Sequence, residues 1–498
     1  MTIDLSIIIP HYNKNVALQE TWKELMLQID PKDEILIIDD HSKVKPDFDC
    51  PCTRTIQPPK ITPHIYRLNT LRNLGIQEAN HDTCIILDPD CIPNPNFIKH
   101  ARKIHDKGIL FGGWINYMNE DGQRMKPDPR SRRYHKSRWI DSDNSGCGLI
   151  WGGCMMFSKS RVQLVGLFDE AFNKNWGAEE HEFASRCYHS GMRLRYEKGL
   201  LVTHQYHEKI HYGNPEKNRA LLAERKIEHE HNINVTYRPA VAVLIVSTLR
   251  PYFIDQALRG VFRQTIPIKA KLVNNGDASE EQKVAVKTWK GRAAVEYEYY
   301  PDRVNLPLIR NKTMFDYKKR GYKYLILQDD DILVKPNHIN RLINVAEANP
   351  QYHAISGYIV SEDGYSRQIG GRIVNNRHYY HYPVQPVTRE ADYISSGFTL
   401  IRLDEKIIPF TEDWEMGWSD WDWSMEIKKS GFKVATTGLA GAYHRLLATN
   451  SGMKKIDDPP KYVTLRKNRA QHSRMADKYE SKWGYKPTNP RPETEIKT

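Results

Sequence analysis

The sequence predicts an α/β protein of two tandem domains, each an open parallel sheet between helices, followed by a short helical, basic tail. Three observations carry this expectation. Apolar runs alternate with segments of helical spacing, the pattern of strand–helix–strand units with right-handed crossovers. The alternation occurs twice, and the second round starts about 240 residues after the first, far beyond the 20–50 residue period of a solenoid. In each round an apolar run ends in clustered carboxylates, a Trp/Gly/acid cluster follows, and a His closes the set. The first set is Asp88 and Asp90 in IILDPDC, Glu179 and Glu180 in NWGAEEHEF, and His204 in VTHQYH. The second is Asp329, Asp330 and Asp331 in LILQDDDIL, Asp420 and Asp422 in EMGWSDWDWS, and His444 in GAYH.

In chain order, LSIIIP (5–10) reads as a short buried parallel strand. Residues 16–29 have helical spacing, EILIIDD (34–40) is the next strand, 69–79 is a helix and TCIILDPD (83–90) is the third strand. Open α/β sheets bind ligands beyond the carboxyl ends of their strands, so Asp39, Asp40, Asp88 and Asp90 should converge on one crevice. The second half repeats the plan. AVAVLIVSTLRP (240–251) opens it, KAKLVNNGD (269–277) ends in Asn274, Asn275 and Asp277, 310–319 is helical, and YKYLILQDDD (322–331) is the third strand. Residues 215–238 are charged and helical, the end of the first domain plus a linker. The expected domains are therefore 1–238 and 239–450, with a basic extension over 451–498. Within that extension 463–483 reads as a helix lying on the body, and the last dozen residues read as loose.

A chain of 498 residues is long enough for two or three domains with proper cores. Its 40% hydrophobic and 27% charged content fits a globular class. No apolar run approaches the ~20 residues that span a bilayer, and MTIDLSIIIPHYN lacks the basic start of a signal peptide. A cytoplasmic location is expected, with peripheral membrane association left open. Seven cysteines at irregular spacing agree with a reducing compartment, and Cys50-Pro-Cys52 is too close for a zinc knuckle. The net charge of +12 serves solubility or a polyanionic partner: nucleic acid, an acidic glycan or an anionic membrane face. The run Arg124 to Trp139 concentrates that charge and interleaves aromatics.

Carboxylates spaced D-x-D after a strand suit a hard divalent cation. On an extended segment the first and third side chains point the same way, and Mg²⁺ or Mn²⁺ takes one or two carboxylates plus substrate phosphates. The acids of the second clusters start helices, where the helix dipole alone would favour them. The functional alternative is a general base beside Trp, its pKa raised towards neutrality by desolvation. His204 and His444 occupy the same relative place in both halves, which points to a metal or phosphate contact.

Taken in order, SIIIPHYN, LIIDDHS, RNLG, ILDPD and GGCMMFSKSRVQLVGLFDEAFNKNWGAEEHEF resemble the inverting, nucleotide-sugar-dependent glycosyltransferases of the GT-A fold, the family-2-like group. VLIVSTLRP, VNNGD, IRN, LQDDD, SSGFTLIR and GWSDWDWSMEIKKSGFKV carry the same resemblance in the second half. The tandem arrangement is similar to bimodular synthases of the chondroitin-polymerase kind. The resemblance implies two Rossmann-like, nucleotide-diphospho-sugar transferase domains. It also implies roles. Pro10, Tyr12, Asn13 and Asp40 hold the base and ribose of the donor, and Arg72 and Asp88 meet the sugar nucleotide. Asp90 and His204 take the metal. Glu180 stands at the general base, with Glu179 as the alternative, because the family usually has Asp after Glu. In the second half Ser247, Asp277, Arg310, Asp329 and Asp330 face the donor, Asp331 and His444 the metal, and Asp420 is the base, preceded by Ser419. The implied function is a bifunctional, Mn²⁺- or Mg²⁺-dependent glycosyltransferase. Each domain would move a sugar from a nucleotide-sugar, UDP-linked by preference, to a glycan acceptor hydroxyl with inversion. Two alternatives remain open: a viral-type enzyme that glycosylates modified DNA bases, and one active domain beside a degenerate acceptor-binding one.

Overall fold

The computed structural model describes residues 3–62, 64–123, 136–140, 146–207, 213–231, 241–276, 279–360, 366–368, 370–381, 383–404, 406–415, 417–444, 446–449, 452–455, 468–488 and 490–492. It divides into two compact units, Met1–Tyr237 with Gly291–Ala293, and Arg238–Lys290 with Ala294–Thr498.

The first unit contains strands β1 (Leu5–His11), β2 (Glu34–Asp39), β3 (Thr53–Ile56), β4 (Thr83–Leu87), β5 (Cys91–Pro93), β6 (Ile109–Tyr117), β7 (Arg138–Ile140), β8 (Cys154–Ser158) and β9 (Arg193–His204). They form one sheet in the order β3-β2-β1-β4-β8-β6-β9-β5, with β7 also paired to β9. β1 runs parallel to β2 and β4, but β8 lies antiparallel to both β4 and β6. The sheet is therefore mixed, not purely parallel. Apolar runs report burial on both faces and are blind to strand direction.

Alternation along the strands builds a core on each face. Ile8, Leu36, Ile38 and Ile86 pack on one side with Leu71 and Ile76 of the helix Leu68–Glu78. Ile7, Ile9, Ile35, Ile37 and Ile85 pack on the other with Leu18 and Leu25 of the helix Asn15–Met26. Gly75 allows the first of these helices its close approach: a Cβ there would lie 2.3 Å from Ile8 Cγ2.

The second unit contains β10 (Val241–Ser247), β11 (Lys269–Asn275), β12 (Val295–Tyr300), β13 (Tyr324–Asp329), β14 (Ile332–Val334), β15 (Tyr352–Val360), β16 (Ser366–Gln368), β17 (Gly370–Val374), β18 (Arg377–Tyr380), β19 (Thr388–Ala391), β20 (Tyr393–Ile394), β21 (Phe398–Arg402) and β22 (Lys433–His444). Its main sheet has the order β12-β11-β10-β13-β21-β15-β22-β14. Strand for strand this is the order of the first sheet, with the same directions. The helix Leu306–Lys319 starts four residues earlier than expected, with Asn305 at its N-cap and Pro307 in its first turn.

The helix Arg469–Trp483 packs on the body, with Met475 and Tyr479 buried against Trp414. One difference from the sequence expectation lies beyond it. Arg491–Pro492, inside the stretch expected to be loose, pairs with Tyr379 and Tyr380 and completes a small sheet with β17, β18 and β20. Among the described residues no helix is long and apolar enough to cross a membrane. All seven cysteines are free thiols. Most of the basic run from Arg124 lies outside the described residues.

Candidate active site

In the first unit β4 ends at Leu87, and Asp88-Pro89-Asp90 turns into β5. The D-x-D acids are thus in a turn, not on an extended segment. They are gathered by tertiary pairing instead, because Cys91, next to Asp90, pairs with His204 across β5 and β9. Ligand atoms of Asp90, His204 and His207 lie within 4.8 Å of one another, as do those of Asp88, Asp90 and Cys91. Asp90 Oδ2 meets His207 Nε2 at 3.1 Å and Lys14 Nζ at 2.5 Å. His204 Nε2 is 3.7 Å from Asp90 Oδ1, a buried oxygen with no hydrogen-bond partner. Burial pushes the Asp90 carboxyl up, but the His207 hydrogen bond, His204 and Lys14 outweigh it and hold the group well below the usual range. Asp88 is raised by burial and by Asp90. Asp90 with two imidazoles, one of its oxygens without a hydrogen-bond partner, and Asp88 beside it are a donor set that suits a divalent cation.

The residues expected to hold the nucleotide gather at the ends of β1 and β2. Pro10 is the penultimate residue of β1, opposite Ile38. Asp40 is buried and accepts from Arg67 Nε at 2.8 Å and His64 Nε2 at 2.9 Å. Tyr12 stacks on His64, with ring centroids 4.2 Å apart. Asn13 adopts a left-handed backbone (φ 53°) and ties the turn to Ser42 and Lys43. The neighbouring Asp39 is structural: its carboxylate is taken up by His11, Ser42 and Gln57.

A second pair of acids enters from the helix Glu179–His189. It is reached through Gly177 and Ala178, both left-handed (φ 93° and 74°). In the second unit the helix Ser419–Lys429 follows Gly417 and Trp418, also left-handed (φ 78° and 49°). Holding a non-glycine residue there is strained, and both units do so at the same place. The match makes Glu180 the counterpart of Asp420, and Glu179 that of Ser419. Glu179 is buried, with Arg72 Nη1 3.6 Å from its Oε1. Burial and the neighbouring Glu180 push it up to about 8, against the pull of Arg72.

Asp420 departs from the expectation of a raised base. Burial would lift it, yet Arg310 Nη1 donates to Oδ1 at 2.7 Å and the Ser396 amide to Oδ2 at 3.1 Å, and these hold the carboxyl below its ordinary range. Asp422, two residues on, points away. Its oxygens accept from Trp414, Thr411 and Trp483, and Lys482 Nζ lies 2.7 Å from Oδ1.

Arg72 and Arg310 are mounted alike. Asn73 exchanges hydrogen bonds with the Phe168 backbone (2.9 and 2.8 Å), and Asn311 does so with Phe410 (2.8 and 2.8 Å). Each guanidinium lies over that same phenylalanine ring, at 5.1 and 5.0 Å. Arg72 also lies so close to Gly152 that a Cβ there would be 1.9 Å from Nη2. Nε and Nη1 of Arg72 have no hydrogen-bond partner.

In the second unit the Asp329 amide donates to Gly397 O as the Asp88 amide does to Gly153 O. Asp331 Oδ2 is 3.3 Å from His444 Nε2, and Ile332, next in the chain, pairs with His444. Arg250 Nη1 donates to Asp331 Oδ2 at 2.5 Å while Nη2 donates to the buried Asp330. Ser247 is buried at the end of β10, opposite Asn274. Asp277 lies outside the described residues. Sequence inspection did not single out Lys14, Arg250 or His207. Lys14 and Arg250 are both the residue before the first helix of their unit, so aligning the two halves would have exposed them.

Parts of the chain are similar to known proteins. Residues 6–164 match the family described as glycosyl transferase family 2, and residues 144–211 match the N-terminal domain of galactosyltransferase. The chain is 26% identical to the chondroitin synthase of Escherichia coli over 239 residues, 40% of this chain and 34% of that protein. It is 26% identical to the chondroitin synthase of Pasteurella multocida (strain Pm70) over 245 residues, 41% and 25% respectively. A hyaluronan synthase of Pasteurella multocida is 24% identical over 174 residues, 28% and 18%. The chain thus matches about a third or less of the length of these relatives. A crystal structure of GalNAc-T7 with UDP, GalNAc and Mn²⁺ aligns with 46% of this chain and 51% of that one, at 18% identity and a TM-score of 0.36. Over residues 6–164 the first unit is thus similar to glycosyl transferase family 2, a likeness with which its sheet order and strand-end acids agree, and over part of their length the chain is similar to bacterial chondroitin synthases.

Proposed function

We propose that the chain is a bifunctional glycosyltransferase of polysaccharide synthesis inside the cell, each unit moving a sugar from a nucleotide-sugar, UDP-linked by preference, to a glycan hydroxyl with inversion. The observation that carries this reading is the repeated constellation: a strand-end aspartate, an arginine braced on phenylalanine, and a helix-start carboxylate, assembled by the same strand order in both units. Asp40, with His64 and Tyr12 beside it, forms a polar and stacking platform for the nucleoside. Nε and Nη1 of Arg72, which make no hydrogen bond within the protein, suit the donor's diphosphate. Asp88, Asp90, His204 and His207 would hold a divalent cation, which when bound supplies counter-charge to the departing diphosphate. Glu180, at the place of Asp420, takes the proton of the acceptor hydroxyl as its oxygen attacks the anomeric carbon from the face opposite the leaving group. One in-line displacement inverts that carbon and requires no covalent enzyme intermediate.

The test is a panel of nucleotide-sugars offered to the purified chain with oligosaccharide acceptors, reading released nucleoside diphosphate and acceptor mass. Acceptor-dependent release with a mass gain of one sugar is expected. Release equal with and without acceptor, or none with any donor, overturns the proposal.

A further inference from the structure

The two units treat the last aspartate of their acidic cluster, Asp90 and Asp331, differently. Lys14 Nζ pairs with Asp90 alone among the carboxylates and lies 3.3 Å from His207 Nε2, on a flexible side chain that is one-third exposed. Arg250, its counterpart before the first helix of the second unit, is buried and spans two carboxylates, Asp330 and Asp331. Asp330 has no equivalent in the first unit, where Pro89 stands at the middle position. The second imidazole is missing too: three residues after His204 comes His207, whereas three residues after His444 comes Leu447. Among the described residues, groups of three or more metal-ligating side chains occur at Asp88, Asp90 and Cys91 and at Asp90, His204 and His207, all in the first unit.

A guanidinium does not lose its proton in a protein. A divalent ion at Asp331 would face that fixed positive charge or have to displace Arg250 from a buried pair of carboxylates. The donor set of the second unit does not fit a divalent cation as that of the first does. We infer that Arg250 takes the cation's place in the second unit: the chain carries one divalent ion, in its first unit, and the second site meets a nucleoside diphosphate with a built-in guanidinium. The role of Arg250 towards the diphosphate rests on the transferase reading; the count of ions does not.

Free Mn²⁺ measured by electron paramagnetic resonance during titration of the full chain gives that count without donor or turnover. One bound ion per chain is expected, lost in Asp90→Asn and retained in Asp331→Asn. Two ions with one lost in Asp331→Asn, or no bound ion at all, overturns the inference and leaves the transferase reading standing. The second arm is UDP binding to the Asp90→Asn chain in excess chelator. Binding that survives chelation and falls tenfold or more with the further change Arg250→Ala is expected. Binding in that chain that requires Mn²⁺ overturns the inference. A chain that counts one ion yet consumes no nucleotide-sugar refutes the transferase reading alone.

Discussion

Replacing Asp422 by Asn keeps the shape of a fully buried side chain and changes two things, its charge and one of its acceptors. Oδ2 accepts from Trp414 Nε1 at 3.0 Å and Thr411 Oγ1 at 2.8 Å, and Oδ1 accepts from Trp483 Nε1 at 2.9 Å and faces Lys482 Nζ at 2.7 Å. Every partner donates, so the amide NH₂ must point at donors whichever way it turns. Facing Thr411 is the milder choice, because that hydroxyl can rotate to accept, but Trp414 Nε1 is then left buried and unpaired. An unsatisfied buried donor costs about 1–3 kcal/mol. Loss of the charge also weakens the bonds from Trp483 and Lys482, and breaking a buried ion pair typically costs ~3–5 kcal/mol in all. Lys482 keeps a partner in Glu426 at 2.8 Å, which argues for the lower end. For a domain of this size 1 kcal/mol shifts Tm by roughly 2–4 °C, so Asp422→Asn should lower it by about 10 °C. Trp414 and Trp483 both touch the altered group, so tryptophan fluorescence follows the melt directly. Turnover at 25 °C should stay near that of the parent, since Asp422 points away from Arg310 and Ser396. A variant that melts within about 2 °C of the parent, or a folded variant with no transfer, refutes this division of labour between Asp420 and Asp422.

Asp420→Asn should do the reverse, lowering transfer by the second unit about 10²–10⁴-fold, the usual contribution of a general base, with donor affinity near that of the parent; kinetics and equilibrium binding separate the two. Asp90→Ala should abolish one transfer and Asp331→Ala the other, each leaving its partner reaction measurable on a supplied acceptor; if Asp331→Ala leaves every product intact, the second unit is not a catalyst. Glu179 should make stability fall with rising pH. Unfolded it titrates near 4.5 and folded at about 8, so between these values the folded chain keeps a proton that the unfolded chain has lost. That contribution is full below the lower value and lost as pH rises through the upper one. Urea midpoints across this range should decline less in Glu179→Gln than in the parent, and equal slopes would refute the shift.

The sequence by itself determined the duplication, the strand-ending acids and the apolar strands that bury on both faces. Each is a local property, set by the period-two backbone of a strand and the burial of its side chains. The dipeptides Arg72-Asn73 and Arg310-Asn311 also stood in matching places, although their division of labour, guanidinium in the crevice and amide bracing Phe168 or Phe410, is a matter of packing. Only the tertiary structure decided what meets what. Strand direction at β8 and β21 leaves no trace in composition. His207 reaches Asp90 because β5 and β9 pair, and Arg250 reaches Asp330 because β10 lies beside β13. The pKa of Asp420 follows the same logic. Burial beside tryptophans predicted a raised carboxyl, but Arg310, 110 residues away in the chain, arrives at 2.7 Å and together with Ser396 reverses the sign. Charge and hydrogen bonds combined outweigh desolvation there, and which groups arrive depends on the order of strands in the sheet, which no local pattern encodes.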